Sequence, residues 1–314
     1  TLTIIIILSF FTACEQNIQD KEKNISSRIF EKDNEFINEQ KVEILWYDWD
    51  AMEPYISRDE KYLFFNDNWT KTEKDLFYAE KVDDTTFKYI WEVKWVNTDE
   101  VDWNPTMDEN YNFYFITTKY LTEENSLDTI YWWVFDNWEL KNIKRVKWDI
   151  NNWEIVENNK YIWINMGVEI TRDWNEMYTS YAKFKVWEIF PTEGYIKYAI
   201  KTKDWFEIAK NQDDIMKNIN TNYAVEYAWE VSDNWLDIFY SQVEFWKVPK
   251  FRLLHSSRNN KNEAFWIPKL INEPFKDDEN AFVEGPTLSS DWKKLYYYKL
   301  DKWKFSIFML EKNK

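Results

Sequence analysis

Residues 289–305 read SSDWKKLYYYKLDKWKF. A Ser-Ser-Asp corner leads into an alternating aromatic strand, LYYYKL, and a second polar corner leads into another strand. Period-two alternation between polar corners predicts a β-hairpin. Both corners carry a tryptophan, Trp292 and Trp303, where a tight turn takes glycine.

The same unit recurs along the chain. It is found in YISRDEKYLFFN (55–66), PTMDENYNFYFIT (105–117), EITRDWNEMYTSY (169–181), EVSDNWLDIFYS (230–241) and TLSSDWKKLYYYKL (287–300). The corner aspartates Asp59, Asp108, Asp173, Asp233 and Asp291 are spaced by 49, 65, 60 and 58 residues. Further strands follow the corner strands, as in DLFYAEK (75–81), DTIYWWVF (128–135), IKYAIKTKD (196–204) and FSIFMLEK (305–312). A four-stranded antiparallel unit repeated every 40–60 or so residues predicts an all-β protein, a β-propeller. Five corners predict five blades, with six as the alternative if the long Asp108–Asp173 interval holds another. The last unit ends one strand short, and KVEIL (41–45) precedes the first corner without a blade of its own. KVEIL is therefore expected to pair with the last blade and close the ring. The corner aspartates are expected to fix the turns by accepting backbone N–H bonds two residues on.

Composition repeats the question that Trp292 and Trp303 raise. An ordinary chain is about 7% glycine, roughly 22 residues at this length. This chain has 3 glycines and 21 tryptophans. Nine tryptophans follow Asp or Asn directly: Trp49, Trp69, Trp103, Trp138, Trp153, Trp174, Trp205, Trp235 and Trp292. Asp-Gly and Asn-Gly are the usual hairpin signals, because their turns need φ > 0. The pattern is that of a gene whose UGA codons encode glycine and are written here as tryptophan. Trp46, Trp132, Trp133 and Trp163 lie in apolar runs, where the pattern does not distinguish the two residues.

Residues 2–13 read LTIIIILSFFTA, and Cys14 follows as the one cysteine. An apolar run too short for a stable span, ending in small residues, predicts a signal peptide over 1–13. The run FTAC resembles the bacterial lipoprotein box, with Phe11 in place of the usual leucine. That resemblance implies cleavage before Cys14, lipidation of its thiol, and a membrane-anchored envelope protein on the extracytoplasmic side. The lack of an initiator Met and of a basic leader region is expected of a truncated start. Residues 14–40 are polar and predict a tether, and residues 41–314 the folded domain. A net charge of −16 argues against a nucleic-acid partner.

The corner-and-strand pattern resembles the WD-like repeat of TolB-type β-propellers over roughly residues 41–314. EPYISRDEKYLFF (53–65) and GPTLSSDWKKLYYY (285–298) match it best. The resemblance implies a scaffold or binding module, and carries no catalytic set with it. The residues carry none either. The one histidine, His255 in RLLHSSRNN, has Ser256 and Ser257 beside it but no nucleophile elbow, and is expected in a loop. There is no phosphate loop and no His/Cys metal spacing, so no cofactor and no metal are expected. Glu53, Glu226 and Glu284 precede their corners by six or seven residues, with Asp102 and Glu169 in comparable segments. On innermost strands they would ring a central channel, raise one another's pKa or recruit a cation. The expected function is a non-enzymatic protein- or peptide-binding scaffold; the alternative is a hydrolase acting on a surface glycan or peptide polymer.

Overall fold

The computed structural model describes residues 29–67, 74–94, 96–120, 128–136, 139–146, 154–156, 160–186, 191–203, 206–245 and 248–313. The N-terminal signal, Cys14 and Trp69, Trp138, Trp153 and Trp205 lie outside them.

The described chain opens with β1 (Lys32–Asp33), β2 (Phe36–Lys41) and β3 (Glu43–Leu45). Four antiparallel strands follow: β4 (Met52–Ile56), β5 (Tyr62–Asn66), β6 (Leu76–Lys81) and β7 (Thr86–Glu92), with β3 added to β7 in parallel. The next sheet is β8 (Asp102–Met107), β9 (Asn112–Thr117), β10 (Ile130–Asp136) and β11 (Glu139–Arg145). The third sheet holds ten strands. Its first antiparallel run is β12 (Glu154–Val156), β13 (Tyr161–Ile170), β14 (Glu176–Lys185), β15 (Pro191–Lys201) and β16 (Phe206–Ile208). After the short helix α1 (Gln212–Met216), a second run follows as β17 (Val225–Val231), β18 (Asp237–Glu244), β19 (Lys250–Ser257) and β20 (Lys269–Ile271). β1 joins β20 in parallel. The last sheet is β21 (Val283–Leu288), β22 (Lys294–Asp301) and β23 (Lys304–Lys312), with β2 antiparallel to β23. The protein is all-β.

The two runs of the third sheet meet at a single parallel pair, Gly194 with Val225. A Cβ on Gly194 would stand 2.7 Å from the Val225 side chain, so the approach requires glycine.

Aromatic alternation explains the stacking of sheets. Along β22, Leu295 and Tyr297 enter one core with Leu253 and Phe239, while Tyr296 and Tyr298 enter another with Leu63 and Phe65. Along β9, Phe113 and Phe115 pack with Phe64, while Tyr114 and Ile116 pack with Ile170 and Met177. Successive side chains of a strand point to opposite faces, so each such sheet is buried on both sides. The first strands also touch in turn: β4 against β8, β8 against β13, β13 against β17, β17 against β21, and β21 against β4.

Two expectations about the N-terminal segment differ from the structure. The strand on the last sheet is β2, which takes in only the start of KVEIL: Phe36 stands opposite Lys312, Lys41 opposite Phe308, and Val42 N–H donates to the Ile307 carbonyl (2.9 Å). Phe36 is buried among Tyr297, Phe308 and Leu310, and that burial selects the pairing. The rest of KVEIL, Glu43–Leu45, supplies β3, which lies on β7. Residues 32–40, read as part of the tether, therefore contribute to two paired strands.

Candidate functional site

The site rests on five corners of one design. In the first, Ser57 Oγ donates to Asp59 Oδ1 (2.7 Å), Lys61 N–H donates to the same oxygen (3.2 Å), and Tyr62 N–H donates to Ser57 Oγ (3.0 Å). Thr171 with Asp173, and Ser289 with Asp291, repeat this arrangement. Two aspartates stand elsewhere. In the fourth corner the Asp59 role belongs to Asn234, which accepts from Ser232 Oγ (2.8 Å) and Leu236 N–H (3.0 Å). Asp233 instead accepts from Arg172 (3.0 Å). In the second corner Asp108 takes the hydroxyl residue's place, accepting from Asn110 and Asn112 N–H (2.8 and 3.0 Å). A carboxylate accepts as well as a hydroxyl oxygen does, so the turn survives the exchange.

The fourth residue of every corner has a left-handed backbone: Glu60 (φ 57°), Tyr111 (60°), Trp174 (55°), Trp235 (64°) and Trp292 (58°). Each donates its N–H to the carbonyl of the corner's first residue, at 2.7–3.2 Å. This is the position that favours glycine.

The first strands are bulged about four residues before the corner's first residue. Register shifts fall between Met52 and Tyr55, Trp103 and Thr106, Asn165 and Gly167, Tyr227 and Trp229, and Glu284 and Thr287. Each bulge re-aims the chain beyond it, and a small cavity of ≈ 20 Å³ forms where the five strands meet. Tyr55, Asn104, Glu169, Glu230 and Thr287 each reach it, one from each first strand. That volume accommodates about one water molecule. At Gly285 (φ 67°) a Cβ would meet the Tyr298 ring at 2.9 Å, so this bulge needs glycine.

Arg58 fills the corner end of this axis. Its guanidinium donates to Glu169 Oε1 (2.5 Å), Glu230 Oε1 (3.1 Å), and the carbonyls of Met107 (3.1 Å) and Ile170 (2.9 Å). It lies 5.6 Å from the Tyr55 ring, and Tyr55 donates its hydroxyl to the Met107 carbonyl (2.6 Å). Glu230 also accepts from Thr287 Oγ1 (2.9 Å). One arginine thus ties together residues from four of the five first strands, and Glu230 links the fifth through Thr287. One cation faces two buried carboxylates. Burial and the adjacent Glu230 push Glu169 well above the usual carboxylate range, against the pull of Arg58.

The five acids expected to ring a channel fall into four places. Glu169 belongs to the Arg58 cluster. Glu53 also lines the axial cavity, and it lies near Glu284, which sits towards the opposite end of the strands. Lys74 pairs with Glu53 Oε1 (2.7 Å), while Tyr227 and Tyr298 donate to the two oxygens of Glu284. Burial pushes Glu284 up to about 7, with the two tyrosines holding it down. Glu226 accepts from Thr221 Oγ1 (2.7 Å) and Gln242 (3.0 Å), and burial pushes it up to about 8. Asp102 accepts from Thr98 N–H and Oγ1 (2.7 and 2.8 Å) and is pushed up by burial to about 6. Counting back from the aspartates missed Glu230 and Arg58. Counting from the hydroxyl residue finds them: Glu230 stands two before Ser232, as Glu169 stands two before Thr171, and Arg58 follows Ser57.

His255, expected in a loop, lies buried in β19. Its Nδ1 stands 2.6 Å from Asp33 Oδ2 and its Nε2 3.1 Å from Asp237 Oδ1. Ser257 Oγ is 3.4 Å from Nε2 but donates to Asp237 at 2.6 Å, and Ser256 donates to the Trp266 carbonyl.

No protein-family model matches this sequence, and no curated protein matches it. Among solved structures, the chain is similar to TolB from Acinetobacter baumannii (11% identity, TM-score 0.44, covering 85% of this chain and 55% of that one). It is similar to a putative TolB from Agrobacterium tumefaciens (8%, 0.45, 88% and 79%). It is likewise similar to the catalytic domain of a Coprinopsis cinerea GH62 α-L-arabinofuranosidase (9%, 0.49, 87% and 95%). The chain spans little more than half the length of the Acinetobacter TolB chain.

Proposed function

We propose that this chain is a five-bladed β-propeller lipoprotein, anchored to the cell envelope by lipid on Cys14 and acting as a non-enzymatic binding scaffold. The cyclic contact of the five first strands, and the pairing of β2 with β23, support a ring of five blades closed by β2. The acidic balance and the resemblance of FTAC to the lipoprotein box support the envelope location. The partner is a protein or peptide engaged across a face of the ring.

One observation carries the binding role over hydrolysis. Arg58 occupies the axis and engages both nearby carboxylates, so neither Glu169 nor Glu230 faces a cleft in which a polymer could be cut. A catalytic pair of carboxylates must flank the scissile bond with room for it; the axial cavity here has space for little beyond a water. The five left-handed tryptophans among the described residues, Trp46, Trp174, Trp235, Trp292 and Trp303, support the further view that the natural protein carries glycine there.

The test uses the full chain expressed from the native gene. Wild-type protein should partition with detergent and membranes, and Cys14→Ser should release it. Envelope extract passed over the protein should yield a saturable protein or peptide ligand. Steady release of reducing ends or peptides from envelope polymers would overturn the scaffold role. UGG codons at the left-handed positions would overturn the glycine assignment.

A further inference from the structure

His255 is held in one orientation by three contacts. Its ring lies flat on Phe239, with centroids 4.3 Å apart and planes at 2°, where the two residues face each other across β18 and β19. Asp237 Oδ1 lies 3.1 Å from Nε2 and accepts the Ser257 hydroxyl as well. That carboxylate is an acceptor, so Nε2 carries its hydrogen and donates it. The other nitrogen, Nδ1, is turned towards β1 and the segment that follows it. It faces two further carboxylates, Asp33 Oδ2 at 2.6 Å and Glu35 Oε2 at 3.8 Å.

Two carboxylates converging on one imidazole nitrogen require a positive charge between them. A second proton on the ring meets that need, and so does a metal ion. The surroundings favour the ion. A ligating histidine characteristically donates its other N–H to a carboxylate, which fixes the tautomer and strengthens the ligand; Asp237 occupies that place. Asp33 is itself fixed, its Oδ1 accepting from Glu35 N–H (2.8 Å), which leaves Oδ2 for the site. Glu35 is steadied by Lys312, whose Nζ lies 2.5 Å from Oε1, leaving Oε2 on the histidine side. One ligand atom from each of Asp33, Glu35 and His255 lies within 4.8 Å of the others.

We infer that Asp33, Glu35 and His255 form a binding site for a divalent transition ion of the zinc class. One imidazole nitrogen with two carboxylate oxygens suits zinc, cobalt or manganese, whereas calcium takes six or more oxygens. Asp33 and His255 are buried and Glu35 is about one-third exposed, so the fourth coordination position opens towards solvent. The ion's effect is architectural. Asp33 lies on β1 and Glu35 precedes β2, so an ion here fastens the N-terminal segment to β19. The sequence hid the site because its ligands are more than 200 residues apart and meet only through the parallel pairing of β1 with β20.

The test is calorimetric titration of chelator-treated full chain, without a histidine tag, using zinc and cobalt chloride. One equivalent should bind, the melting temperature should rise, and cobalt should give the visible absorption of a four-coordinate N/O site. Glu35→Gln, at the one partly exposed ligand, should weaken zinc binding at least tenfold. Asp237→Asn should weaken it about 10–100-fold. Absence of zinc and cobalt binding by the wild type, or equal affinity in wild type and Glu35→Gln, would overturn the site and leave His255 as a protonated clamp.

Discussion

Lys302 and Trp303 are the two central residues of the turn between β22 and β23, and both have positive φ (50° and 82°). Two left-handed residues in a two-residue loop make a type I′ turn, which glycine fits and tryptophan does not. Trp303 is three-quarters exposed, so its ring returns little for the backbone strain. Trp303→Gly should therefore stabilise the protein by about 1 kcal/mol or more, read by urea denaturation. Trp133 differs: it is buried within β10, and Trp163 stacks on Tyr181 at 5.0 Å. The two tryptophan environments could not be separated from composition, but Asn or Asp before the residue separates several of them. It fails at Trp103, which follows Asp102 yet lies within β8, its indole N–H donating to the Met166 carbonyl (3.1 Å). Arg58 gives the second prediction at this scale. Arg58→Met leaves Glu169 and Glu230 buried beside each other and should cost about 3–5 kcal/mol. Adding Glu169→Gln and Glu230→Gln should recover part of that loss, since no unpaired charge remains; the double comparison is made by chemical denaturation.

The strands were legible because aromatic alternation dictates two buried faces, and each corner announced itself by a hydroxyl or acid followed by a polar residue. Pairing was less legible. Both FINEQK and KVEIL precede the first corner, and neither has a stronger strand pattern. Phe36 decides between them by filling the core beside Tyr297 and Phe308, a fact that depends on tertiary placement. Phe36→Ala should cost about 3–5 kcal/mol, the ordinary loss for a buried phenylalanine. Ile44→Ala, on the half-buried β3, should cost clearly less; thermal melts of the two variants compare them. The acids were half legible for a similar reason. Their places on first strands follow from the repeats, but the bulges shift register, so residues counted from Asp59 or Asp291 do not share one level of the axis.

Protonated carboxyls buried across the molecule set its response to pH. Glu226, pushed to about 8, and Glu284, pushed to about 7, hold protons in the folded state that the unfolded chain releases near pH 4.5. Their contribution is fully present below that value and is lost as pH rises through the folded-state values. Stability should thus fall between pH 5 and 8, by about 1.4 kcal/mol per pH unit for each such group. Glu226→Gln should flatten the curve between pH 4.5 and 8, as measured by denaturation midpoints across pH. An unchanged slope would remove Glu226 from this account.

The pairing of β2 with β23 has a consequence for biogenesis. A chain emerging N-terminus first presents Phe36 long before its partner residues 308–312. Until then β2 keeps an open edge, the state in which nascent proteins are recruited by chaperones or cut by proteases. So distant a contact forms slowly compared with local hairpins. Burial of Phe36 therefore waits on the synthesis of β23, and a product stopped before Lys304 leaves β2 without its partner.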